Sequence, residues 1–209
     1  MEMRTIDFNR AKFKTFTLEE AEEWGRKNYG EWLQKLQNQD YEPQTPVEEL
    51  FRYYTQGTHK FFNNITRNYD INTYDFSESF FSREMFDSGI REINCHTITD
   101  DIVVYRYVSK ALIKRMLEWG SSKSLKRNSF LLDKGFFSTT LSLEAVKGRD
   151  YANLKERDLF TIYVPKGSHG VYVDLISDMN EKEILFAPGI RLQVVGKHWS
   201  GKYIECIMC

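Results

Sequence analysis

The spacing of the apolar residues changes near Asp100 in this 209-residue chain, and no other feature of the sequence restricts its fold as strongly. Before that point, apolar residues recur at the period of an amphipathic helix over 18–36 and 77–93. A further helix is expected to begin at Pro46 and to break near Gly57. The first part of the chain is therefore predicted to be mostly helical.

The later part of the chain consists of short runs rich in β-branched and aromatic residues. The runs expected to form strands begin at Ile102, Leu159, Gly170, Glu183, Ile190 and Lys202. One helix, over 109–119, is expected between them. Helices followed by strands predict an α+β fold with a mixed, mainly antiparallel β-sandwich core and an N-terminal helical layer. We interpret the chain as one domain over 1–209, mainly helical over about 1–95 and mainly strand over about 100–209.

Composition argues against several classes of protein. Lys plus Arg number 29 and Asp plus Glu number 30, so the net charge of -1 does not favour nucleic acid or an anionic membrane as a partner. No stretch approaches the roughly 20 apolar residues of a membrane span, and the first ten residues do not read as a signal peptide. The four histidines are scattered, so no metal site is expected. Cys206 and Cys209 are interpreted as the end of a strand.

Two polar features interrupt the apolar pattern of the strands. Arg106 lies inside the run VVYRYV, where a guanidinium must be paired, and its planar fork suits phosphate or carboxylate. The alternative is an arginine that points to solvent or pairs with an interior acid. Ser138, Thr139 and Thr140 follow two phenylalanines. Their hydroxyls can hold a neighbouring carboxylate or bridge to a ligand, or they can simply cap the turn at a strand end.

Glu181 and Glu183 form a third polar feature, at the start of the run EILFA. Residues i and i+2 on a strand point to the same face, and they lie about 6.6 to 6.8 Å from each other along the strand. Two carboxylates at such a spacing can divide proton transfer and charge stabilisation between them. The alternative is a pair of charges at a strand edge that faces water.

Taken in this order, the features resemble the bacterial mono-ADP-ribosyltransferase toxins of the arginine, serine, glutamate class. The matching motifs are Tyr105-Arg106, Ser138-Thr139-Thr140 and Glu181-Lys182-Glu183. The stretch 19–36 is similar to the leading helix of the clostridial Rho-modifying exoenzymes and of the enzymatic components of binary actin-modifying toxins. Asn63 and Arg67 match a helix in those proteins whose Asn and Arg reach the cofactor. The resemblance extends over the chain from about residue 16.

The resemblance implies transfer of ADP-ribose from NAD to a protein side chain, with release of nicotinamide and without a metal. Arg106 and Arg67 would neutralise the NAD diphosphate, Asn63 would add a hydrogen bond, and Arg157 is a further candidate for the diphosphate. Ser138 would bond to Glu183 and hold it. Glu183 would stabilise the oxocarbenium-like ribose, and Glu181 would bind and help deprotonate the acceptor.

In this class, a glutamate at position 181 goes with arginine acceptors, so the resemblance favours an arginine-specific enzyme. The alternatives are a Rho-modifying type of transferase that acts on asparagine, an NAD glycohydrolase, and an inactive protein-binding module of the same fold. A toxin of this class is expected to be a monomer, secreted or delivered into the cytosol of a target cell, with actin or a small GTPase as a candidate acceptor. The class usually has an aromatic residue where this chain has Asp178, which leaves the acceptor protein open.

Overall fold

The computed structural model describes residues 8–36, 45–77, 79, 81–147, 154–177, 180–198 and 203–209. Its α-helices are α1 (Leu18–Leu36), α2 (Pro46–Tyr53), α3 (His59–Asn68), α4 (Arg83–Cys95), α5 (Lys110–Trp119) and α6 (Leu143–Lys147). Its strands are β1 (Ile102–Ser109), β2 (Phe130–Asp133), β3 (Phe137–Thr140), β4 (Arg157–Val164), β5 (Val171–Tyr172), β6 (Glu183–Phe186), β7 (Ile190–His198) and β8 (Tyr203–Met208). The change from helices to strands therefore occurs where the sequence predicts it.

Side-chain caps set the limits of the helices. Thr17 and Glu20 satisfy each other's backbone N–H groups at the start of α1, with the Thr17 amide 2.8 Å from the Glu20 carboxylate. The predicted break between α2 and α3 is confirmed as a π-helical turn, Tyr54–Thr58, in which Gly57 has a φ of 104°. The helix predicted over 77–93 begins later, at Arg83, because the Ser82 hydroxyl accepts from the Met85 amide and caps it.

The strands hydrogen-bond into one eight-stranded sheet in the order β2-β7-β8-β4-β1-β3-β6-β5. All neighbouring pairs are antiparallel except β4 and β8, so the predicted mixed, mainly antiparallel α+β class is confirmed. The short strand β2 was not predicted, because its four residues are too few to show an alternating pattern. Cys206 lies buried within β8, in agreement with its interpretation as a strand residue.

Strand β1 is buried on both faces. Val104 and Val108 belong to the large core that joins the helical layer to the sheet, whereas Val103 and Tyr105 pack into a second core on the opposite face. Arg106 is therefore held on a strand with apolar packing above and below it. No described helix has the length and apolar character needed to cross a membrane.

Helix α1 packs closely on the edge of the sheet at β5. A Cβ built on Gly25 would lie only 2.2 Å from the ring of Tyr172, so the helix can approach this far only because the residue has no side chain. Tyr29 on the next turn donates from its hydroxyl to the Gly170 carbonyl at 3.1 Å. These contacts place α1 next to the segment that leads into Glu181 and Glu183.

Candidate active site

A cleft of about 420 Å³ opens where β1, β3 and the start of β6 meet α3 and the π-helical turn before it. Most of the residues singled out from the sequence line it: Asn63, Arg106, Ser138, Arg157, Glu181 and Glu183. These residues come from five separate parts of the chain, and the fold brings them to one surface. The remaining predicted site residue, Arg67, lies beside this cleft and not in its lining.

The strand registers explain how the acidic and hydroxyl residues meet. Tyr105 on β1 pairs with Thr140 on β3, and Thr140 in turn pairs with Glu183 on β6, so these three residues form one row across the sheet. Ser138 on β3 pairs with Leu185 on β6. Its side chain therefore lies on the same face of the sheet as that of Glu183, in the diagonal position. Thr139 faces the other way, and its hydroxyl donates to the Ile184 carbonyl at 3.1 Å. The hydroxyl directly opposite Glu183 is that of Thr140.

Arg106 contributes a half-buried positive charge to the cleft. Its guanidinium donates to the Ser138 carbonyl at 3.0 Å and lies over the Phe137 ring, 4.3 Å from the centroid. Burial lowers the pKa of Arg106, and the nearby carboxylate of Asp133 opposes that effect most strongly. An arginine stays protonated even so, and its five N–H donors allow it to bind an anion while it keeps the bond to Ser138.

Arg67 is already engaged by a carboxylate. Its Nε and Nη2 atoms donate to the two oxygens of Asp133 at 2.8 and 2.7 Å, and Asp133 is completely buried. The arginine lines a second cavity of about 510 Å³, formed by the end of α3, Ile90 of α4 and the loops that follow β2 and β6, and neither glutamate lines it. A Cβ on Gly135 would come within 2.6 Å of both Arg67 Nε and Asn63 Oδ1, so the loop after β2 packs directly on both side chains. A direct contact of Arg67 with the diphosphate stays a prediction.

Asn63 carries an unsatisfied acceptor. The residue is only 6% exposed, and its Oδ1 atom is buried without a hydrogen-bond partner among the described residues. Its Nδ2 atom donates to the Tyr54 hydroxyl over a long 3.4 Å. A buried acceptor without a partner costs on the order of 1–3 kcal/mol, and such groups in folded proteins call for a particular reason.

Glu183 and Glu181 reach the cleft differently from the prediction. Strand β6 begins at Glu183, and Lys182 before it has a φ of 53°, in the left-handed region. The expectation that one extended strand spaces the two acids is therefore wrong: Glu183 is a buried strand residue, and Glu181 stands half-buried on a left-handed turn that precedes it. Both acids line the same cleft nevertheless.

The cleft also contains residues that the sequence did not single out. They are Tyr54, Thr55, Gln56, His59, Tyr107 and Val146. Burial and, secondly, the charge of Glu183 raise the pKa of Tyr54, so its hydroxyl stays protonated at neutral pH. The break near Gly57 was the sequence signal for the part of the cleft formed by residues 54–59, because helices are often interrupted at functional sites. Asp178, the position where the class usually has an aromatic residue, lies outside the described residues.

Residues 21–202 match the sequence model of a family described as ADP-ribosyltransferase exoenzyme. The chain belongs to the ADP-ribosyltransferase exoenzyme family. Membership makes the exoenzyme an NAD-dependent transferase of the bacterial toxin type, which confirms the resemblance drawn from the arginine, hydroxyl and glutamate motifs. No curated protein sequence matches the exoenzyme.

Solved structures support the same fold at low sequence identity. The Clostridium limosum C3 exoenzyme has a TM-score of 0.68 and 16% identity over 94% of this chain and 97% of its own. C3stau2 from S. aureus, solved with NAD, has a TM-score of 0.63 and 17% identity over 95% of this chain and 99% of its own. The C2-I component of the Clostridium botulinum C2 toxin has a TM-score of 0.66 and 15% identity over 94% of this exoenzyme, which spans only 50% of C2-I.

The described residues contain no group of three or more His, Cys, Asp and Glu side chains that could hold a metal ion. The groups that line the cleft combine a cationic donor with carboxylate and amide acceptors. A guanidinium, a buried amide oxygen without a partner and two carboxylates together fit the diphosphate, the ribose hydroxyls and the reacting ribose of NAD.

Proposed function

We propose that this exoenzyme transfers a single ADP-ribose unit from NAD to an arginine side chain of a target protein. The observation that carries the proposal is that Glu181 and Glu183 line one cleft together with Arg106. The reaction needs a cation to hold the diphosphate, an anion beside the reacting ribose and a base for the acceptor, and these residues have the required charges. A half-buried glutamate beside a buried one also suits two different duties.

NAD would bind through the cationic and amide groups of the cleft. Arg106 is proposed to donate to the diphosphate, with Arg157 at the start of β4 as a second cation. The buried Oδ1 atom of Asn63 would accept from a ribose hydroxyl and lose its unsatisfied state. Arg67 enters the proposal through Asp133, because that ion pair fixes α3 and thereby the position of Asn63.

The chemistry then consists of one bond broken and one bond formed at the same carbon. The bond between ribose C1′ and the nicotinamide nitrogen breaks, nicotinamide leaves as a neutral molecule, and the ribose takes up the positive charge. Glu183 stabilises that oxocarbenium-like cation, with the hydroxyls of Ser138 and Thr140 on the same face of β3 to keep the carboxylate in place. A guanidinium nitrogen of the acceptor attacks C1′ and passes its proton to Glu181.

An arginine acceptor is supported by Glu181 itself. A carboxylate can hold a guanidinium by two parallel hydrogen bonds, and a guanidinium with a pKa above 12 needs a base to become nucleophilic. One structure of the same fold, that of the ADP-ribosyltransferase Vis, was solved in complex with agmatine, which is a guanidine compound. We further propose that the exoenzyme acts as a monomer, secreted or delivered into a target cell's cytosol, with actin or a small GTPase as a candidate acceptor.

The proposal is tested with isotope-labelled NAD and a eukaryotic cell lysate, followed by mass spectrometry of the labelled proteins. Wild-type protein is expected to label arginine. Glu183→Gln should lower the transfer rate by about 100-fold or more, since it removes the charge beside the ribose cation. Glu181→Gln should abolish labelling of arginine but leave measurable release of nicotinamide. Glu118→Gln, which changes an exposed acid on α5, is the matched control and should behave like wild type.

The possible products distinguish the alternatives. Label on asparagine would contradict the proposed arginine specificity and would indicate a transferase of the Rho-modifying type. Release of nicotinamide without any labelled protein would indicate an NAD glycohydrolase. Calorimetry that detects no NAD binding, together with no turnover, would indicate an inactive protein-binding module. Full transfer by Glu183→Gln would refute the assignment of the catalytic carboxylate.

A further inference from the structure

Lys182, the residue between the two glutamates, is buried although it carries a charge. Its side chain is 4% exposed, and its Nζ atom lies 2.8 Å from the Glu22 carboxylate and 3.5 Å from that of Asp174. Nζ also donates to the Asn180 side chain. An ammonium group is very rarely this buried without a defined partner, and here it has two carboxylates and an amide oxygen.

The side chain of Asp174 binds the backbone of the turn that carries Glu181 and Glu183. Its Oδ1 atom accepts from the amide of Glu181 at 2.5 Å and from the amide of Lys182 at 2.7 Å. The side chain of Asp174 is 4% exposed. One carboxylate therefore caps two consecutive N–H groups with one oxygen and faces the Lys182 ammonium with the other.

The turn itself is strained without such support. Asn180 and Lys182 have φ values of 47° and 53°, and the left-handed conformation is unfavourable for a residue such as lysine because its Cβ crowds the backbone. The carbonyl oxygens of the same segment are also engaged, because the Leu141 amide donates to Lys182 at 3.0 Å and the Val173 amide donates to Glu183 at 2.9 Å. Two neighbouring segments, one at 173–174 and one at Leu141, thus fix the backbone between the two acids.

Glu22 connects this turn to the helical layer. It lies on the face of α1 that packs against β5, it is 39% exposed, and Arg26 on the next turn donates to it at 2.8 Å. The network Glu22, Lys182 and Asp174 therefore runs from the solvent-exposed surface of α1 to the two amides of the glutamate turn.

We propose that Lys182 is a positioning residue of the transfer reaction: its buried ion pairs with Asp174 and Glu22 hold the turn that aims Glu181 at the acceptor and Glu183 at the ribose. This inference rests on the proposed function. It adds a requirement that the two-glutamate motif does not state, namely a buried cation between the acids and an acidic residue on α1 to meet it. A shift of about 1 Å in a catalytic group can cost on the order of 100-fold in rate, so loose support of the turn would be costly.

The first test is Lys182→Met, which keeps the length of the side chain and removes its charge. We expect kcat for transfer to fall by about 10- to 100-fold, while KM for NAD changes less than about threefold, because Arg106 and Asn63 belong to other elements. Hydrogen exchange of the Glu181 and Lys182 amides is measured on the same protein. Their protection should fall by about 10-fold or more, since the amide bonds to Asp174 then open more often.

Glu22→Gln is the second variant, and it serves if Lys182→Met fails to fold. It acts at the exposed end of the network and leaves the ion pair between Lys182 and Asp174 in place. It should lower both kcat and amide protection in the same direction as Lys182→Met but by a smaller factor. Glu23→Gln is its matched control: this acid is the next residue of α1 and is exposed, so neither readout should change.

Unchanged kcat in variants whose amide protection is lost would overturn the positioning role. Unchanged amide protection would overturn the claim that the ion pairs hold the turn. A parallel rise of KM for NAD by 10-fold or more would also refute the inference, because it would indicate a general disturbance of the cleft. A wild-type protein that neither transfers nor hydrolyses NAD would refute the proposed function instead, and the exchange data would still decide whether the ion pairs hold the turn.

Discussion

Two glycines of α1 should respond in opposite ways to the same substitution. Gly25 and Gly30 both lie inside the helix, where glycine costs about 1 kcal/mol relative to alanine. An alanine Cβ at Gly25 would lie 2.2, 2.4 and 2.5 Å from three ring carbons of Tyr172. The same atom at Gly30 would meet no heavy atom within 4 Å. The pair therefore separates helix propensity from packing within a single element.

The size of the difference follows from these distances. Carbon atoms in contact prefer about 3.5 to 4.0 Å, so the alanine at Gly25 would overlap the ring by more than about 1 Å. Tyr172 is completely buried and cannot swing away, which puts the overlap at the upper end of the usual cost of overpacking, about 3 kcal/mol. The gain in helix propensity offsets about 1 kcal/mol, so Gly25→Ala should lower the free energy of unfolding by about 2 kcal/mol. Gly30→Ala should raise it by about 0.5 to 1 kcal/mol.

Thermal unfolding followed by circular dichroism is a suitable assay. For a domain of this size, 1 kcal/mol shifts Tm by about 2 to 4 °C, so the two variants should differ by roughly 5 to 12 °C. Gly25→Ala should also slow transfer, because Tyr172 donates to Asp174 at 3.4 Å and Asp174 binds the glutamate turn. If Gly25→Ala proved as stable as Gly30→Ala, the close packing of α1 on β5 would be refuted.

Three further changes test other parts of the structure. Asp133→Asn removes the buried partner of Arg67 and should lower the free energy of unfolding by about 3 to 5 kcal/mol in urea titrations; a loss below about 1 kcal/mol would contradict a structural role for the pair. Asn63→Leu deletes an unsatisfied acceptor but also the long bond to the buried Tyr54 hydroxyl, so the two effects should offset and leave Tm nearly unchanged, while NAD binding should weaken by about 10-fold in calorimetry; unchanged affinity would exclude Asn63 from the site. Hydrogen bonds from Lys14 and Trp24 lower the pKa of Asp100 to about 2, so its contribution to the free energy of unfolding is complete above about pH 4 and is lost as the pH falls through 2. In Asp100→Asn the free energy of unfolding should therefore fall by about 1 kcal/mol less than in wild type over this acid range. Identical acid unfolding curves for the two proteins would contradict this prediction.

The fold could be predicted from the sequence where the signal is local. The helix over 18–36 and the break near Gly57 follow from periodicity, capping and a glycine, all of which act within a few residues. Strand β2 was missed because four residues carry too little pattern. The late start of α4 was missed because Ser77 and Ser82 are equally good caps in the sequence, and only the fold selects one of them.

The members of the site could be predicted, but not all of their surroundings. Motifs spread over more than 100 residues identified Asn63, Arg106 and Glu183, which the structure brings to one cleft. The partner of Arg67 lies 66 residues away, and the ion pair with Asp133 has no local signature. The sequence placed Lys182 on an extended strand between the two acids. Its positive φ could not be predicted, because that conformation is uncommon for lysine and the side chains that support it come from distant segments.

The place of β8 in the sheet has a consequence for the order in which the protein can assemble. Residues 203–208 lie between β7 and β4, so the β2-β7 pair joins the rest of the sheet through a strand that comes after all the others in the chain. The strands that carry the cleft, β1, β3 and β6, pair with one another without it. During synthesis, the site-bearing half can form early. Closure of the sheet then waits for one late insertion, in which β8 pairs in parallel with β4 and antiparallel with β7.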